Sequence, residues 1–156
     1  MSRLRHTGLL ALTLAALPLP ALAWDTPEQA IDAYLAFELD GGRLQAWPFA
    51  RYIVAPRGYD EPGWDVLHAV RGWQRGAVRC DDPARCEVVV LFEYADTLAL
   101  PAAWQLMPHP HGGSERVRYA LQRQPAPDGW RVASTLGPPR VRLKVVATLW
   151  PDAAAD

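Results

Sequence analysis

Thr26-Pro27-Glu28-Gln29-Ala30-Ile31-Asp32-Ala33-Tyr34-Leu35, running on through Ala36-Phe37-Glu38-Leu39 to Asp40-Gly41-Gly42, is the stretch that decides the fold. Thr26 offers a hydroxyl to cap a helix, Pro27 fits the first helical position, where its missing N–H costs nothing, and Gln29 completes a capping box. Ala30, Ile31, Tyr34, Leu35 and Leu39 then recur at spacings of three and four, which builds one apolar stripe. Glu28, Asp32 and Glu38 are assigned largely to the other side, and Gly41-Gly42 stops the pattern. The stretch therefore predicts one amphipathic helix with a face to cover a sheet.

Downstream of it the period changes. Arg43 to Trp47 allows one more helical turn before Pro48, and Phe49 to Val54 reads equally as a short helix or an extended arm. After a Pro/Gly-rich loop, Trp64 to Cys80 reads as a long strand in which Gly72 and Gly76 mark bulges or a bend. Glu87 to Tyr94 is its apolar hairpin partner. Pro101 to Ser114 carries the signals of a loop, whereas Val117, Tyr119 and Leu121 alternate with Arg116, Arg118 and Gln122 as in a half-buried strand. Asp128-Gly129 turns the chain, Trp130 to Thr135 returns as a strand, Val141 to Leu149 is the last one, and residues 151–156 form a loose tail. A helix followed by bent antiparallel strands predicts an α+β domain in which a strongly curved, cone-like sheet wraps one helix.

Upstream, Ser2-Arg3-Leu4-Arg5-His6 is a basic n-region, Leu9 to Leu17 an apolar run, and Ala21-Leu22-Ala23 a small-x-small cleavage signature. Residues 1–23 read as a signal peptide, and the mature single domain as residues 24–150. The apolar run is far shorter than the ~20 residues that cross a bilayer, so no membrane anchor is expected after cleavage. The implied location is periplasmic or secreted, in a bacterium.

Subtracting those 23 residues from 156 leaves 133, an ordinary single-domain size. Removing Arg3 and Arg5 leaves 14 basic against 17 acidic side chains, a net charge of about −3. No basic field remains to hold phosphates, which argues against nucleic acid. Cys80 and Cys86 are the only cysteines. In an oxidising compartment such a pair reads as a disulfide across the turn Asp81-Asp82-Pro83-Ala84-Arg85.

The helix from Thr26 to Gly42, the run Pro62-Gly63-Trp64-Asp65, and the closing pattern Val117-x-Tyr119-x-Leu121 followed by Asp128-Gly129-Trp130-Arg131-Val132 resemble the nuclear-transport-factor-two-like superfamily. The likeness is greatest to its small exported bacterial members. It spans most of Asp25 to Leu149 and implies a cone-shaped α+β scaffold that carries isomerases, dehydratases, cyclases, hydrolases and many noncatalytic domains.

Candidate chemistry is sparse. His68 shares a strand face with Trp64, Val66 and Val70 and is the one candidate catalytic base, with Tyr94 or Tyr119 as its tyrosine partner. The acid and tyrosine arrangement of the superfamily's ketosteroid isomerases has no residue-by-residue counterpart here. His109-Pro110-His111 has a metal-like spacing and needs a third ligand such as Glu115 or Asp96; no metal site is assigned. Trp47, Trp73, Phe92, Tyr94 and Trp104 are candidates to wall a pocket for a small apolar or aromatic ligand. No cofactor motif is present. The function expected is noncatalytic, either binding a small apolar molecule or serving as an interaction module in the envelope, with a cofactor-free isomerase, dehydratase or hydrolase using His68 as the alternative. Homodimerisation through the outer sheet face is a further expectation.

Overall fold

The computed structural model describes residues 24–45, 49–55, 64–99, 105–107, 113–134 and 136–151. Residues 1–23, where a signal peptide and its cleavage point are expected, and residues 152–156 of the expected tail lie outside the described residues.

Helix α1 spans Pro27–Leu39, as its caps predict. The Gln29 N–H donates to the Thr26 hydroxyl at 3.2 Å, and the Gln29 side chain accepts from Asp25 N–H at 3.1 Å, so the box closes one residue earlier than the standard pattern. At the other end Gly41 takes φ 82° and its N–H donates to the Glu38 carbonyl. That left-handed turn suits glycine and folds the chain back into a 3₁₀ turn, Gly42–Leu44. A Cβ at Gly42 would overlap the Phe37 ring. Ala30, Ile31, Tyr34, Leu35 and Leu39 are buried as the stripe requires. Glu38 corrects the sequence reading, since it is fully buried rather than on the outer side. It stands four residues after Tyr34 and three after Leu35, which places it on the apolar stripe.

The strands are β1 Val66–Arg75, β2 Arg79–Asp82, β3 Arg85–Ala99, β4 Gln105–Met107, β5 Ser114–Arg123, β6 Trp130–Val132 and β7 Arg140–Arg142. They form one strongly curled sheet in the order β6-β5-β3-β1-β7, with β2 and β4 also paired to β3. The α+β class and the curled sheet agree with the sequence reading. The sheet is mixed rather than wholly antiparallel, because β7 runs parallel to β1, pairing Arg140 with His68 and Arg142 with Val70. Nothing local in sequence specifies that pairing, since about 70 residues separate the partners.

Two further corrections concern element type. The segment Val141 to Leu149, expected as a strand, is β7 for its first residues and then helix α2, Leu143–Leu149, whose Val146 packs with Leu67, Ala69 and Val141 in a second small core. Trp64 to Cys80 is two strands, β1 and β2, separated at Gly76; register shifts fall between Ala69 and Gly72. Segment 49–54, left open by the sequence, is a 3₁₀ turn at Phe49–Arg51 followed by a parallel bridge from Ile53 to Val132. β5 keeps the expected alternation, with Tyr119 and Leu121 buried against α1. Trp24 bridges to Gly129, and its carbonyl accepts from Trp130 N–H at 2.9 Å.

Cys80 and Cys86 are joined by a disulfide between directly opposed residues of β2 and β3. Among the described residues no helix is long and apolar enough to cross a membrane.

Candidate functional site

The concave face of the sheet, covered by α1, holds a cluster of ionisable side chains drawn from five elements. Glu38 comes from the last turn of α1, Arg43 from the 3₁₀ turn behind Gly41, Tyr94 from β3, Glu115 and Tyr119 from β5, and Arg140 from the start of β7. The turn at Gly41 aims Arg43 back along the helix, where Nη1 donates to Glu38 Oε1 at 2.7 Å with both side chains buried. Arg43 also donates to the Gly137 carbonyl at 2.9 Å and lies over the Phe49 and Trp64 rings.

Glu38 collects a second set of partners. The Arg140 backbone N–H donates to Oε1 at 3.3 Å, its guanidinium lies 3.9 Å away, and the Tyr119 hydroxyl donates to Oε2 at 3.4 Å. A buried carboxylate with two guanidinium partners and further donors has its charge and lone pairs compensated. Tyr34 and Tyr119 are held well above the usual phenol pKa, first by burial and then by the negative charge of Glu38. The Tyr34 hydroxyl lies in the field of Glu38, yet no partner meets hydrogen-bond geometry there.

The second half of the cluster sits nearer solvent. Tyr94 donates its hydroxyl to Glu115 Oε2 at 2.6 Å and accepts from Arg140 Nε at 2.9 Å. Arg140 Nη2 approaches the same Glu115 oxygen at 3.5 Å, and its guanidinium covers the Phe92 ring at 5.0 Å. Burial pushes the Tyr94 phenol well above its ordinary pKa, and the hydrogen bond to Glu115 adds to this. At Glu115 burial acts to raise the carboxyl, but the Tyr94 hydrogen bond, Arg140 and His68 outweigh it and hold the group below the usual carboxylate range. Burial disfavours the Arg140 cation, and the Glu38 carboxylate and the hydrogen bond to the Tyr94 hydroxyl outweigh it.

These directions bear on chemistry. A general base works best with a pKa raised toward the working pH, and a general acid with one lowered toward it. Glu115 and Tyr94 are moved the opposite ways. His68, the predicted base, is half-buried on β1 with its ring 5.2 Å from that of Tyr94, so the structure brings His68, Tyr94 and Glu115 together at one end of the sheet.

Of the predicted aromatic wall, Trp73, Phe92 and Tyr94 fall among the described residues. Phe92 is fully buried under Arg140 and stacks toward Tyr94, while Trp73, opposite Phe92 in the β1–β3 register, is 37% exposed and lines a separate groove. Trp47 and Trp104 lie outside the described residues, as do His109 and His111. Among the described residues no group of three metal-binding side chains occurs, and Glu115 is committed to Tyr94 and Arg140. Sequence reasoning missed Glu38, Arg43 and Arg140. Only Glu38 had a usable signal, its place on the helix stripe.

The depressions beside Trp73 and Lys144, beside Gly76 and Arg118, and beside Phe37 and Tyr52 are lined by residues other than His68, Tyr94 and Glu115. The outer face of β3 and β5 carries Glu87, Val89, Arg116 and Arg118, with Arg118 donating to Glu87 at 2.9 Å. No protein-family description, no curated protein and no solved structure matches this chain.

Proposed function

We propose that the mature chain is a noncatalytic interaction domain of the bacterial envelope, exported by its leader, locked by Cys80–Cys86, and built on a scaffold similar to the nuclear-transport-factor-two-like superfamily. The observation that carries this reading is the mutual pairing of the buried charges and hydroxyls among the described residues. Glu38 is neutralised by Arg43 and Arg140, and the Tyr94 hydroxyl is used twice, by Glu115 and Arg140. Buried groups compensated in this way hold a fold in one arrangement and leave the outer edges and grooves as places for recognition. The disulfide fits an oxidising compartment.

The enzyme reading keeps one observation in its favour, the approach of His68 to Tyr94 and Glu115. In-cell photocrosslinking from position 73, in protein exported with its own leader, separates the two. Crosslinked adducts of higher mass that are undiminished by His68→Ala are the expected result. A chain that stays uncrosslinked and turns over a substrate in a His68-dependent way would overturn the proposal.

A further inference from the structure

We propose that the free edge of β1 receives an extended acidic peptide, which adds as a strand beside Arg71–Arg75; this rests on the interaction-domain reading and names the partner's chemistry. Three observations meet there. First, β7 pairs with β1 only as far as Val70, whereas β1 continues to Arg75, so among the described residues no strand occupies that edge. Backbone donors and acceptors in such an edge are a template for another chain.

Second, the same place is a groove of about 440 Å³ lined by Arg71, Trp73, Arg142, Leu143 and Lys144 with the backbone at Gly72. Arg71 and Lys144 are exposed. Arg142 already grips a carboxylate, donating to Asp40 Oδ1 at 2.6 Å. With Arg142 paired to Asp40 and Glu93 lying beside Gly72, the cations this groove offers an acidic partner are Arg71 and Lys144.

Third, Trp73 is one of the few large apolar side chains left exposed, at 37%. The register shift between Val70 and Gly72 takes Arg71 off the face that carries Trp73, so an incoming strand with alternating side chains turns acidic residues to Arg71 and Lys144 and apolar ones to the indole. Main-chain bonding supplies affinity, and the charges supply selectivity.

The competing explanation is that the charges only guard the edge against self-association. Fluorescence anisotropy with the purified mature protein and a labelled acetyl-Asp-Val-Glu-Val-Asp-Val-amide peptide decides between them. Binding below about 100 μM is expected, with little binding of the counterpart carrying Lys at the acidic positions. Arg71→Glu and Lys144→Glu should each weaken binding about fivefold or more, both sites being exposed enough to spare the fold. N-methylation of alternate peptide amides should abolish binding. No binding of the acidic peptide, equal binding of the N-methylated one, or indifference to both charge reversals would overturn strand addition. Crosslinks from position 73 in cells would in that event still leave the interaction-domain reading standing.

Discussion

Arg43 Nη1 donates to Glu38 Oε1 at 2.7 Å with side-chain exposures of 1% and 0%, and the link spans the left-handed turn that ends α1. Glu38 therefore ties the helix end to the reversal behind it through Arg43 and, through the Arg140 N–H, to the parallel strand β7. Removing one partner of a buried pair leaves the other charge uncompensated, at a cost of about 3–5 kcal/mol. Glu38→Leu and Arg43→Leu should each fall in that range in urea unfolding. The double variant should lose clearly less than the sum, since the mutual term disappears with both charges. Additive losses would mean the two residues do not act as a pair.

Tyr94→Phe removes a hydroxyl shared by Glu115 and Arg140, and should destabilise by about 1–3 kcal/mol. The pH dependence has a fixed sign. The folded-state pKa of Glu115 lies below its unfolded value, so its contribution is complete above the unfolded value and is lost as pH falls through the folded one. The stability advantage of the wild type over Glu115→Gln should thus shrink from about pH 4.3 downward, read from thermal melts across pH. An advantage that grew on acidification would contradict this assignment.

Gly129 takes φ 64°, and a Cβ there would lie 2.5 Å from the Trp24 carbonyl oxygen. Gly113 has open space around it. Gly129→Ala should therefore lower the melting temperature by several degrees, corresponding to at least about 1–2 kcal/mol, while Gly113→Ala stays near wild type. Equal effects would remove the case for the Trp24–Gly129 contact as a fixed point of the fold.

The Cys80–Cys86 ring is short, so its entropic contribution is about 2 kcal/mol. Cys80→Ser with Cys86→Ala should shift the denaturant midpoint by that order, and a reductant should move the wild type but not the variant.

Legibility followed sequence distance. The cap at Thr26, the stop at Gly41, the alternation of β5 and the hairpin closed by the cysteines are set by neighbours in the chain, and all four were readable. The parallel pairing of β7 with β1 was not, because it depends on a strand about 70 residues earlier. Helix α2 was misread for a related reason. Leu143 to Leu149 contains β-branched residues that favour a strand, yet packing of Val146 on Leu67, Ala69 and Val141 outweighs that preference. Of the polar cluster, Glu38 stands on the apolar stripe of α1 and was legible there, whereas Arg43 and Arg140 reach it only through turns and crossovers that no local pattern encodes. Of the aromatic candidates, Phe92 and Trp73 oppose each other in register, a pairing that no local pattern specifies, and burial divides them between the core and an edge groove.

On the proposed interaction-domain reading, the ionisable cluster inside the sheet builds the fold and takes no part in proton transfer. A carbon-13 NMR titration of the Glu115 carboxyl, followed alongside that of His68, tests it most directly. Glu115 should titrate below the usual carboxylate range and move upward in Tyr94→Phe. A midpoint raised toward neutral pH, coupled to His68, would mark a working acid–base pair and contradict the account.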